Sequence, residues 1–335
     1  MKILNVKENE AGQRLDKLLA KYLNKAPKSF LYKMLRKKNI ILNGKKAQGN
    51  EKLALHDEIK LFLSEETIEK FQTDTFDSSS IKPKKADLDI IYEDKHICLI
   101  NKPANMLSQK AKETDQSVVE LLISYLLQSK QITEEELRSF RPSVCNRLDR
   151  NTSGIIIAGK TLTGLQKMSE ILKNRSLHKY YWCVVSGQMD TDHEIEGYLY
   201  KEEWNNKVYI QKEPRIGASY IKTAYHTIKT NGSVTLLEVH LITGRSHQIR
   251  AHLASIGHPV IGDSKYGRQD LNHKWKVKYG LHSQLLHSRR LQMPVIEGTL
   301  CELSEREWTA PLPRQFEQII RKEGLATCQH GIPEA

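Results

Sequence analysis

Residues 146–154 read NRLDRNTSG and run directly into the apolar stretch IIIA at residues 155–158. The segment places Asp149 between Arg147 and Arg150 and follows them with small, turn-prone residues. Because isoleucine is stiff and favours extended backbone, residues 154–160 predict a buried strand. Loops at the end of a buried strand often display reactive side chains. Taken alone, the segment fits either an ordinary surface ion pair or a carboxylate that cations hold ionised for chemistry.

The same stretch matches the phosphate-loop pattern GxxxxGK[ST] at residues 154–161. That pattern works only where a flexible loop between a strand and a helix wraps its amides around phosphates. Three consecutive isoleucines resist positive φ, so these residues are better explained as the strand itself. We therefore interpret the match as accidental.

A second group of polar residues lies a hundred positions later, in LITGRSHQIRAHLASIGHPVIGDSKYG at residues 241–267. Thr243-Gly244 predicts a turn out of a strand, and Ser246 is a candidate N-cap for the helix that follows. The start of a helix favours anions through its free amides and its dipole. Four side chains are expected near this helix start: Arg245, His247, Arg250 and His252. A third stretch, Lys179-Tyr180-Tyr181, begins a strand with aromatic rings that can stack on a base.

The composition is that of a soluble globular protein, since 39% of the 335 residues are hydrophobic and 27% are charged. No apolar run approaches the ~20 residues that a membrane helix needs, and MKILNVKENE lacks the apolar stretch of a signal peptide. The five cysteines are scattered and form no CxxC pair, and the histidines form no HExxH motif. We therefore expect a cytoplasmic protein with no membrane partner and no metal.

The positive charge is concentrated at the N-terminus. Residues 1–63 carry 15 lysines and arginines against six acidic residues, a net charge of +9, whereas the whole chain carries +12. A short block that holds most of the excess charge is typical of a protein that binds a polyanion. A lysine-rich solvated surface is the alternative, and we favour nucleic acid.

The N-terminal block has a recognisable pattern of elements. Apolar residues spaced by three and four predict a helix over residues 13–24, and a second helix is expected after Pro27. Asn43-Gly44 predicts a hairpin turn. Two helices feeding a small basic sheet resemble the S4 RNA-binding domain over residues 12–63. The cations expected to contact RNA are Lys33, Arg36, Lys37, Lys38 and Lys45.

Three segments follow from this pattern. Residues 1–63 are assigned to a small α/β S4 domain, and the polar residues 64–88 to a linker that contributes nothing to a core. Residues 89–325 alternate helical stretches with long strands that do not repeat. They predict an α+β catalytic domain with a mixed, mostly antiparallel sheet.

The three polar stretches together resemble the RluA/RluC/RluD family of pseudouridine synthases. The central family motif is HRLDRxTSG, and residues 146–154 match it except that Asn146 replaces the leading histidine. The later motif TGRxHQIRxHLxxxGHPxxGDxxYG matches residues 243–267 at nearly every position, and the Lys-x-Tyr motif falls at Lys179 and Tyr181. The resemblance covers about residues 89–295. An amide can replace an imidazole as a hydrogen-bonding group, so Asn146 leaves it intact.

The resemblance implies isomerisation of uridine to pseudouridine without a cofactor or a metal. Asp149 is then the catalytic carboxylate, acting either as a nucleophile at the sugar or as a base. Arg250 is its expected cationic partner, and Arg147 is expected to enter the RNA helix where the target nucleotide leaves it. Tyr181 is expected to lie against the extruded base. Arg245 and His247 are further candidates for substrate binding.

The RNA class is a separate expectation. An S4 module joined to this catalytic domain is the architecture of the RluC and RluD branches, so we expect 23S ribosomal RNA and ribosome precursor particles as partners of a monomeric enzyme. Transfer RNA is one alternative, and a non-catalytic assembly factor that binds ribosomal RNA is another. A base-releasing glycosylase would need a water-activating group, for which the sequence has no motif.

Overall fold

The computed structural model describes residues 1–72, 88–112, 114–189, 191–202 and 207–327. These residues form two compact units. The first contains the described residues among 1–87 together with Val119–Ser143 and Gly159–Gln166, and the second contains the remainder. Within the described ranges, no helix combines the length and the apolar character that a membrane span requires.

The N-terminal part of the first unit consists of three helices and a small sheet. Its elements are β1 (Lys2–Asn5), α1 (Leu15–Tyr22), α2 (Lys28–Arg36), β2 (Ile40–Leu42), β3 (Lys45–Lys46), β4 (Glu58–Leu61) and α3 (Glu65–Phe71). Among the described residues the strands pair in the order β1-β4-β2-β3, all antiparallel. The edge strand β1 was not predicted, because its four residues are mostly exposed and show no apolar alternation.

The predicted apolar spacing produces the core of this sheet and its helices. Leu15, Leu18 and Leu19 of α1 are each at most 2% exposed. The turn between β2 and β3 has positive φ at both Asn43 (49°) and Gly44 (73°), as a type I′ hairpin requires, which confirms the predicted turn. The cations predicted to contact RNA are all exposed: Lys33, Arg36, Lys37, Lys38 and Lys45.

Helix α3 shows that the predicted linker was wrong for residues 64–72. Ser64 caps this helix by accepting a hydrogen bond from the Thr67 amide at 3.2 Å. Ile68 is 7% exposed in the same core, and the Phe71 ring lies 4.4 Å from the ring of Phe30. Two apolar residues spaced by three, in an otherwise polar stretch, were enough to fold this turn onto the core. The rest of the predicted linker, up to residue 87, lies outside the described residues.

The first unit also includes chain from beyond the predicted domain boundary at residue 89. This chain contains most of α4 (Val118–Gln128) and a 3₁₀ helix (Glu136–Arg138). The Ser139 hydroxyl donates a hydrogen bond to the Glu10 carboxylate, and the Lys7 ammonium lies 3.5 Å from a Glu136 oxygen. The compact units therefore do not follow the predicted boundary at residue 89. Contacts between residues that are distant in sequence determine which segments belong to each unit.

The second unit is built around one large sheet. Its strands are β5 (Ile90–Glu93), β6 (Ile97–Lys102), β7 (Ser143–Val144), β8 (Ser153–Gly159), β9 (His178–Ser186), β10 (His193–Lys201), β11 (Val208–Gln211), β12 (Ser219–Thr230), β13 (Val234–Leu241), β14 (Leu286–Gln292) and β15 (Glu307–Thr309). The remaining helices are α5 (Leu162–Lys173), whose residues up to 166 belong to the first unit, and α6 (Gln248–Ser255), α7 (Gln269–Tyr279), a 3₁₀ helix (Cys301–Leu303) and α8 (Arg314–Lys322), all in the second unit.

The described strands of this sheet follow the order β11-β10-β12-β13-β9-β14-β8-β6-β5, with β15 beside β14 and β7 beside β8. The pairing is antiparallel between β9 and β13 and between β9 and β14, whereas β14 and β8 are parallel. The predicted α+β class with a mostly antiparallel mixed sheet is therefore confirmed. Residues 155–158 form the interior of β8 and are all at most 1% exposed, as predicted.

Gly154 sets how closely the NRLDRNTSG segment approaches β14. Its φ is +107°, and a Cβ atom added to it would lie 2.2 Å from the Ser288 carbonyl oxygen and 2.6 Å from the Ser288 nitrogen. Ser288 is the register partner of Gly154 across the parallel pair. Only glycine fits between these two backbones, so its position fixes where the preceding loop leaves the sheet.

Replacing Gly154 with alanine should lower the free energy of unfolding by about 3 kcal/mol, since backbone strain adds ~1–2 kcal/mol and overpacking a further ~1–3 kcal/mol. Gly232→Ala is the matched control, because φ is also positive (+84°) but no atom lies within 4 Å of the added Cβ. Gly232→Ala should lower the free energy of unfolding only by the backbone strain of ~1–2 kcal/mol. Urea titrations of both variants measure the difference, and equal losses would contradict the close packing of Gly154.

Candidate active site

The loop that carries Asp149 is held by hydrogen bonds on both sides. The Ser108 hydroxyl donates to the Leu148 carbonyl at 2.8 Å and accepts from the Leu148 amide at 3.0 Å. The Lys102 ammonium, which is fully buried, donates to the Arg150 carbonyl at 3.1 Å. The loop is therefore pinned by side chains immediately before and after Asp149.

Asn146 anchors the same loop to its own strand. Its side-chain oxygen accepts a hydrogen bond from the Ile157 amide at 2.7 Å, across the turn between the loop and β8. This is the position where the family motif has histidine. The amide side chain therefore has a structural contact, which agrees with the interpretation that Asn146 acts as a hydrogen-bonding group.

Asp149 forms a chain of charges with Arg250 and Asp263. Nη1 of Arg250 lies 2.6 Å from Oδ2 of Asp149. The Nε and Nη2 atoms of Arg250 donate to the two oxygens of Asp263 at 2.7 and 2.8 Å, a bidentate geometry. Arg250 was predicted as the partner of Asp149, and the structure brings the two together. Asp263 was not predicted.

Burial and ion pairing shift the pKa values of Arg250 and Asp263 in opposite directions. Burial alone would lower the pKa of Arg250, but hydrogen bonds to Asp263 and the charges of Asp263 and Asp149 outweigh it and raise that pKa. Burial would raise the pKa of Asp263, yet the hydrogen bonds and charge of Arg250 hold it below its usual value. Both groups are therefore charged at neutral pH, and Asp149 faces a permanent cation.

Asp149 opens into a cavity of about 890 Å³. The other predicted substrate-binding residues also line it: Arg147, Tyr181, Arg245 and His247. Arg147 and Arg245 are exposed there, whereas Tyr181 is only 5% exposed and belongs to the wall. Burial raises the pKa of Tyr181 to about 12, so its hydroxyl keeps its proton near neutral pH.

The charge of the cavity is strongly asymmetric. Among its lining residues, seven are lysine or arginine: Lys110, Arg147, Lys173, Arg175, Lys179, Arg245 and Arg250. Asp149 is the one carboxylate among them. A cavity of this size and charge suits a nucleotide with its flanking phosphates. Among the described residues, no group of three or more histidine, cysteine or acidic side chains could hold a metal ion.

The start of α6 differs from the prediction in two respects. His247, with φ of 57°, occupies the N-cap position in place of Ser246, and no side chain caps the helix there. The Gln248 side chain instead accepts from the Arg245 amide at 3.1 Å and from the Thr243 hydroxyl at 2.9 Å. His252 does not line the cavity, since its Nδ1 lies 3.0 Å from the Thr223 hydroxyl and burial lowers its pKa to about 4.

Sequence reasoning missed Asp263, Tyr266 and Lys102. The first two stand in the GDSKYG segment that ends the later motif, so the motif itself was a usable signal for them. The Tyr266 hydroxyl lies 2.9 Å from His247 Nδ1. Lys102 precedes Pro103 without any local feature that would show its burial. Its ammonium donates to three carbonyls, and burial lowers its pKa to about 8.

Comparison with known proteins identifies the family. The family described as RNA pseudouridylate synthase matches residues 96–255. The chain is 31% identical over 329 residues to an uncharacterized RNA pseudouridine synthase of Mycoplasma genitalium, covering 96% of this chain and 98% of that one. The chain belongs to the RNA pseudouridine synthase family. The recognition made from the three motifs is thereby confirmed, and the protein is an RNA pseudouridine synthase.

Other members of the pseudouridine synthase family align over nearly the full length. The chain is 28% identical over 331 residues to ribosomal large subunit pseudouridine synthase C of Vibrio vulnificus, with 96% of each chain covered. It is 27% identical over 330 residues to ribosomal large subunit pseudouridine synthase D of Escherichia coli, covering 94% of this chain and 92% of that one. The solved structure of human RNA pseudouridylate synthase domain containing 4 shares the fold, with a TM-score of 0.59, 21% identity, and coverage of 75% of this chain and 98% of that one.

Asp263→Asn should lower the free energy of unfolding by about 3–5 kcal/mol, because it leaves the buried Arg250 charge without its main partner. Asp270→Asn is the matched control. Its carboxylate pairs with Arg268 at 2.7 Å on an exposed surface, so its loss should lower the free energy of unfolding far less than Asp263→Asn does. Chemical denaturation at pH 7 compares the two variants.

The same ion pair predicts a pH dependence. The folded-state pKa of Asp263 is depressed, so its contribution to stability is present above the unfolded pKa of ~3.9 and is lost as the pH falls through the folded value. The stability gap between wild type and Asp263→Asn should therefore narrow below about pH 4. A gap that stays constant down to pH 2 would contradict the assigned ion pair.

Proposed function

We propose that this enzyme converts specific uridines of large-subunit ribosomal RNA to pseudouridine, with Asp149 as the catalytic carboxylate. The observation that carries the catalytic part is the position of Asp149, the one acid among the residues lining a cationic cavity. The observation that supports the RNA class is alignment over 94–96% of the chain with relatives named ribosomal large subunit pseudouridine synthases C and D.

The isomerisation balances without an oxidant or a reductant. The C1′–N1 bond of uridine breaks, the uracil rotates within the cavity, and a C1′–C5 bond forms. The hydrogen of C5 then leaves as a proton, and N1 gains one. Asp149 serves either as the nucleophile that holds C1′ while the base turns or as the base that removes a proton. Both roles require an ionised carboxylate in a partly enclosed site.

The two oxygens of Asp149 have different surroundings, which supports different roles for them. Oδ2 is held by Arg250 at 2.6 Å, whereas Oδ1 has no contact of that length among the described residues. The guanidinium offsets the cost of removing a carboxylate from water. Oδ1 is then the oxygen that faces the reacting nucleotide. Arg250 therefore supports the reaction through Asp149.

The remaining cavity residues fit an extruded nucleotide. Tyr181 forms part of the wall beside Asp149 and is proposed to lie against the uracil ring. Arg147 and Arg245 are exposed at the same cavity, where guanidinium groups can contact phosphates or fill the gap that a flipped nucleotide leaves in the RNA helix. His247 is proposed as a further contact to the substrate.

The N-terminal residues are proposed to bind RNA through an S4-like module over residues 1–63. The five exposed cations on α2 and the hairpin that follows support this, as does the net charge of +9. The linker assignment is proposed only for residues after 72, and residues 89–325 remain the proposed catalytic domain. We also propose that the enzyme acts as a monomer on ribosome precursor particles in the cytoplasm.

Mapping pseudouridines in cells that lack this protein tests the RNA class. Carbodiimide treatment and primer extension should show specific positions missing from 23S ribosomal RNA, with transfer RNA unchanged, and the wild-type gene should restore them. Positions missing only from transfer RNA would replace ribosomal RNA as the substrate. No missing position in either RNA, together with defective subunit assembly, would favour a non-catalytic assembly factor.

Asp149→Asn should reduce isomerisation by at least about 1,000-fold while RNA affinity changes little, because the side chain keeps its shape and loses its charge. Uridine labelled with tritium at C5 reports the reaction, since C5 loses its hydrogen during turnover. Asp192→Asn is the control, because that carboxylate is 62% exposed and outside the cavity. Near wild-type tritium release from Asp149→Asn would show that another group is the catalyst.

Replacing Lys33, Arg36 and Lys37 together with alanine should weaken RNA binding and lower its salt dependence. Each lost phosphate contact reduces the slope of log affinity against log salt by roughly 0.7–0.9. The control is alanine at Lys274, Lys276 and Lys278 of α7, which removes the same charge elsewhere. Filter binding at several salt concentrations measures both variants. Equal slopes in the two would remove α2 from the proposed RNA-binding surface.

A further inference from the structure

Tyr266 contacts both groups that face the Asp149 carboxylate. Its ring lies 5.2 Å from the guanidinium carbon of Arg250, which holds Oδ2. Its hydroxyl lies 2.9 Å from Nδ1 of His247, whose Nε2 lies 3.9 Å from Oδ1. One tyrosine therefore connects the partners of both carboxylate oxygens.

The hydrogen bonds around Tyr266 indicate which nitrogen of His247 carries the proton. The Tyr266 oxygen accepts a hydrogen bond from the Val208 amide at 3.0 Å. Its own hydrogen then needs an acceptor, and His247 Nδ1 is the nitrogen within reach. If the hydroxyl donates to Nδ1, the neutral imidazole must carry its hydrogen on Nε2, the atom that points toward Asp149.

The backbone at His247 supports this orientation. Its φ of 57° and ψ of 13° are left-handed, a region that histidine enters more often than most residues other than glycine. This conformation presents the imidazole edge-on to the Tyr266 ring, at an interplanar angle of 73°.

We propose that His247 is a positioning residue for the reaction, directing its Nε2–H at Oδ1 of Asp149, and that Tyr266 fixes the tautomer that makes this possible. The inference rests on the proposed catalytic role of Asp149. A neutral N–H directed at Oδ1 attracts that oxygen electrostatically, which favours the carboxylate orientation that keeps Oδ1 beside it, and it forms no ion pair. At 3.9 Å the donor stops short of a direct hydrogen bond, so Oδ1 keeps its lone pairs for the substrate.

The surroundings of His247 favour its neutral form. Burial lowers its pKa, as do the charges of Arg250 and Lys265, whereas Asp149 and Asp263 act in the opposite direction. Burial also raises the pKa of Tyr266, so its hydroxyl keeps the hydrogen that it donates. Since protonated His247 would pair with Oδ1 as an ion, the rate should fall as the pH drops through the lowered pKa of His247.

Tyr266→Phe in the full chain tests the role of the hydroxyl. We expect the single-turnover rate at saturating RNA to fall about tenfold, with RNA affinity within about twofold of wild type. The acid limb of the pH–rate profile should move to higher pH, because the donor that favours neutral His247 is gone. Tyr198→Phe removes a hydroxyl on β10, away from the cavity-lining residues, and should change neither quantity. An unchanged rate and an unchanged acid limb in Tyr266→Phe would overturn the proposal.

Two substitutions at His247 separate positioning from simple packing. Glutamine can place an N–H near the position of Nε2 and does not titrate, so His247→Gln should retain much of the rate and lose the acid limb. His247→Leu should lose about tenfold or more in rate with unchanged RNA affinity. Equal losses in both variants would indicate a packing role and overturn the proposal.

A direct readout does not depend on activity. Ring ¹⁵N resonances of His247, assigned by comparison with His247→Gln, should show the Nε2–H tautomer in wild type and a mixture in Tyr266→Phe. The Nδ1–H tautomer in wild type would overturn the inference. Asp149→Asn separates failure of the proposed function from failure of this inference. An active Asp149→Asn variant would overturn the proposed function. An inactive Asp149→Asn variant together with a Tyr266→Phe variant that behaves as wild type would overturn only the roles of His247 and Tyr266.

Discussion

The salt bridge between Arg250 and Asp149 is the interaction on which the site depends. A carboxylate in a half-enclosed cavity is less well solvated than in water, and a fixed positive charge close to it offsets that loss of solvation. Arg250 supplies that charge, and Asp263, fully buried, fixes the guanidinium from the opposite side with two hydrogen bonds. Asp263 also accepts from the Lys265 and Tyr266 amides, which ties the ion pairs to the turn after α6. Asp149, the proposed catalytic group, is therefore held by a network of backbone and side-chain contacts.

The pairing of strands in the large sheet brings Asp149 and Arg250 close enough to form this salt bridge. Asp149 precedes β8, and Arg250 lies in α6, which begins soon after β13. The two are brought together because β14 pairs with β8 in parallel on one side and with β9 antiparallel on the other. Gly154 permits the close approach of β8 to β14, and Lys102 and Ser108 hold the loop from the neighbouring strand and its extension. A change in the spacing of these strands would move Asp149 away from its cation.

Local patterns predicted the local structure well. The spacing of leucines in α1, the Asn43-Gly44 turn and the isoleucines of β8 each depend on neighbours within a few residues, so the sequence was sufficient. Contacts between residues that are distant in sequence could not be predicted from such local patterns. The association of Val119–Ser143 with the N-terminal residues has no signal in the spacing of apolar residues. At the site, Asp149 and Arg250 were recognisable from their motifs, whereas the burial of Lys102 depends on carbonyls that only the folded chain brings together.

In the proposed function, Arg250 acts through Asp149, and Asp149 carries out the chemistry. Arg250→Lys is the most direct test, because it keeps a buried positive charge but cannot hold both carboxylates in the geometry of a guanidinium. The single-turnover rate at saturating ribosomal RNA should fall sharply in this variant, while the dissociation constant for RNA and the folded circular dichroism spectrum stay close to wild type. A normal rate at saturation, with only weaker RNA binding, would contradict the account.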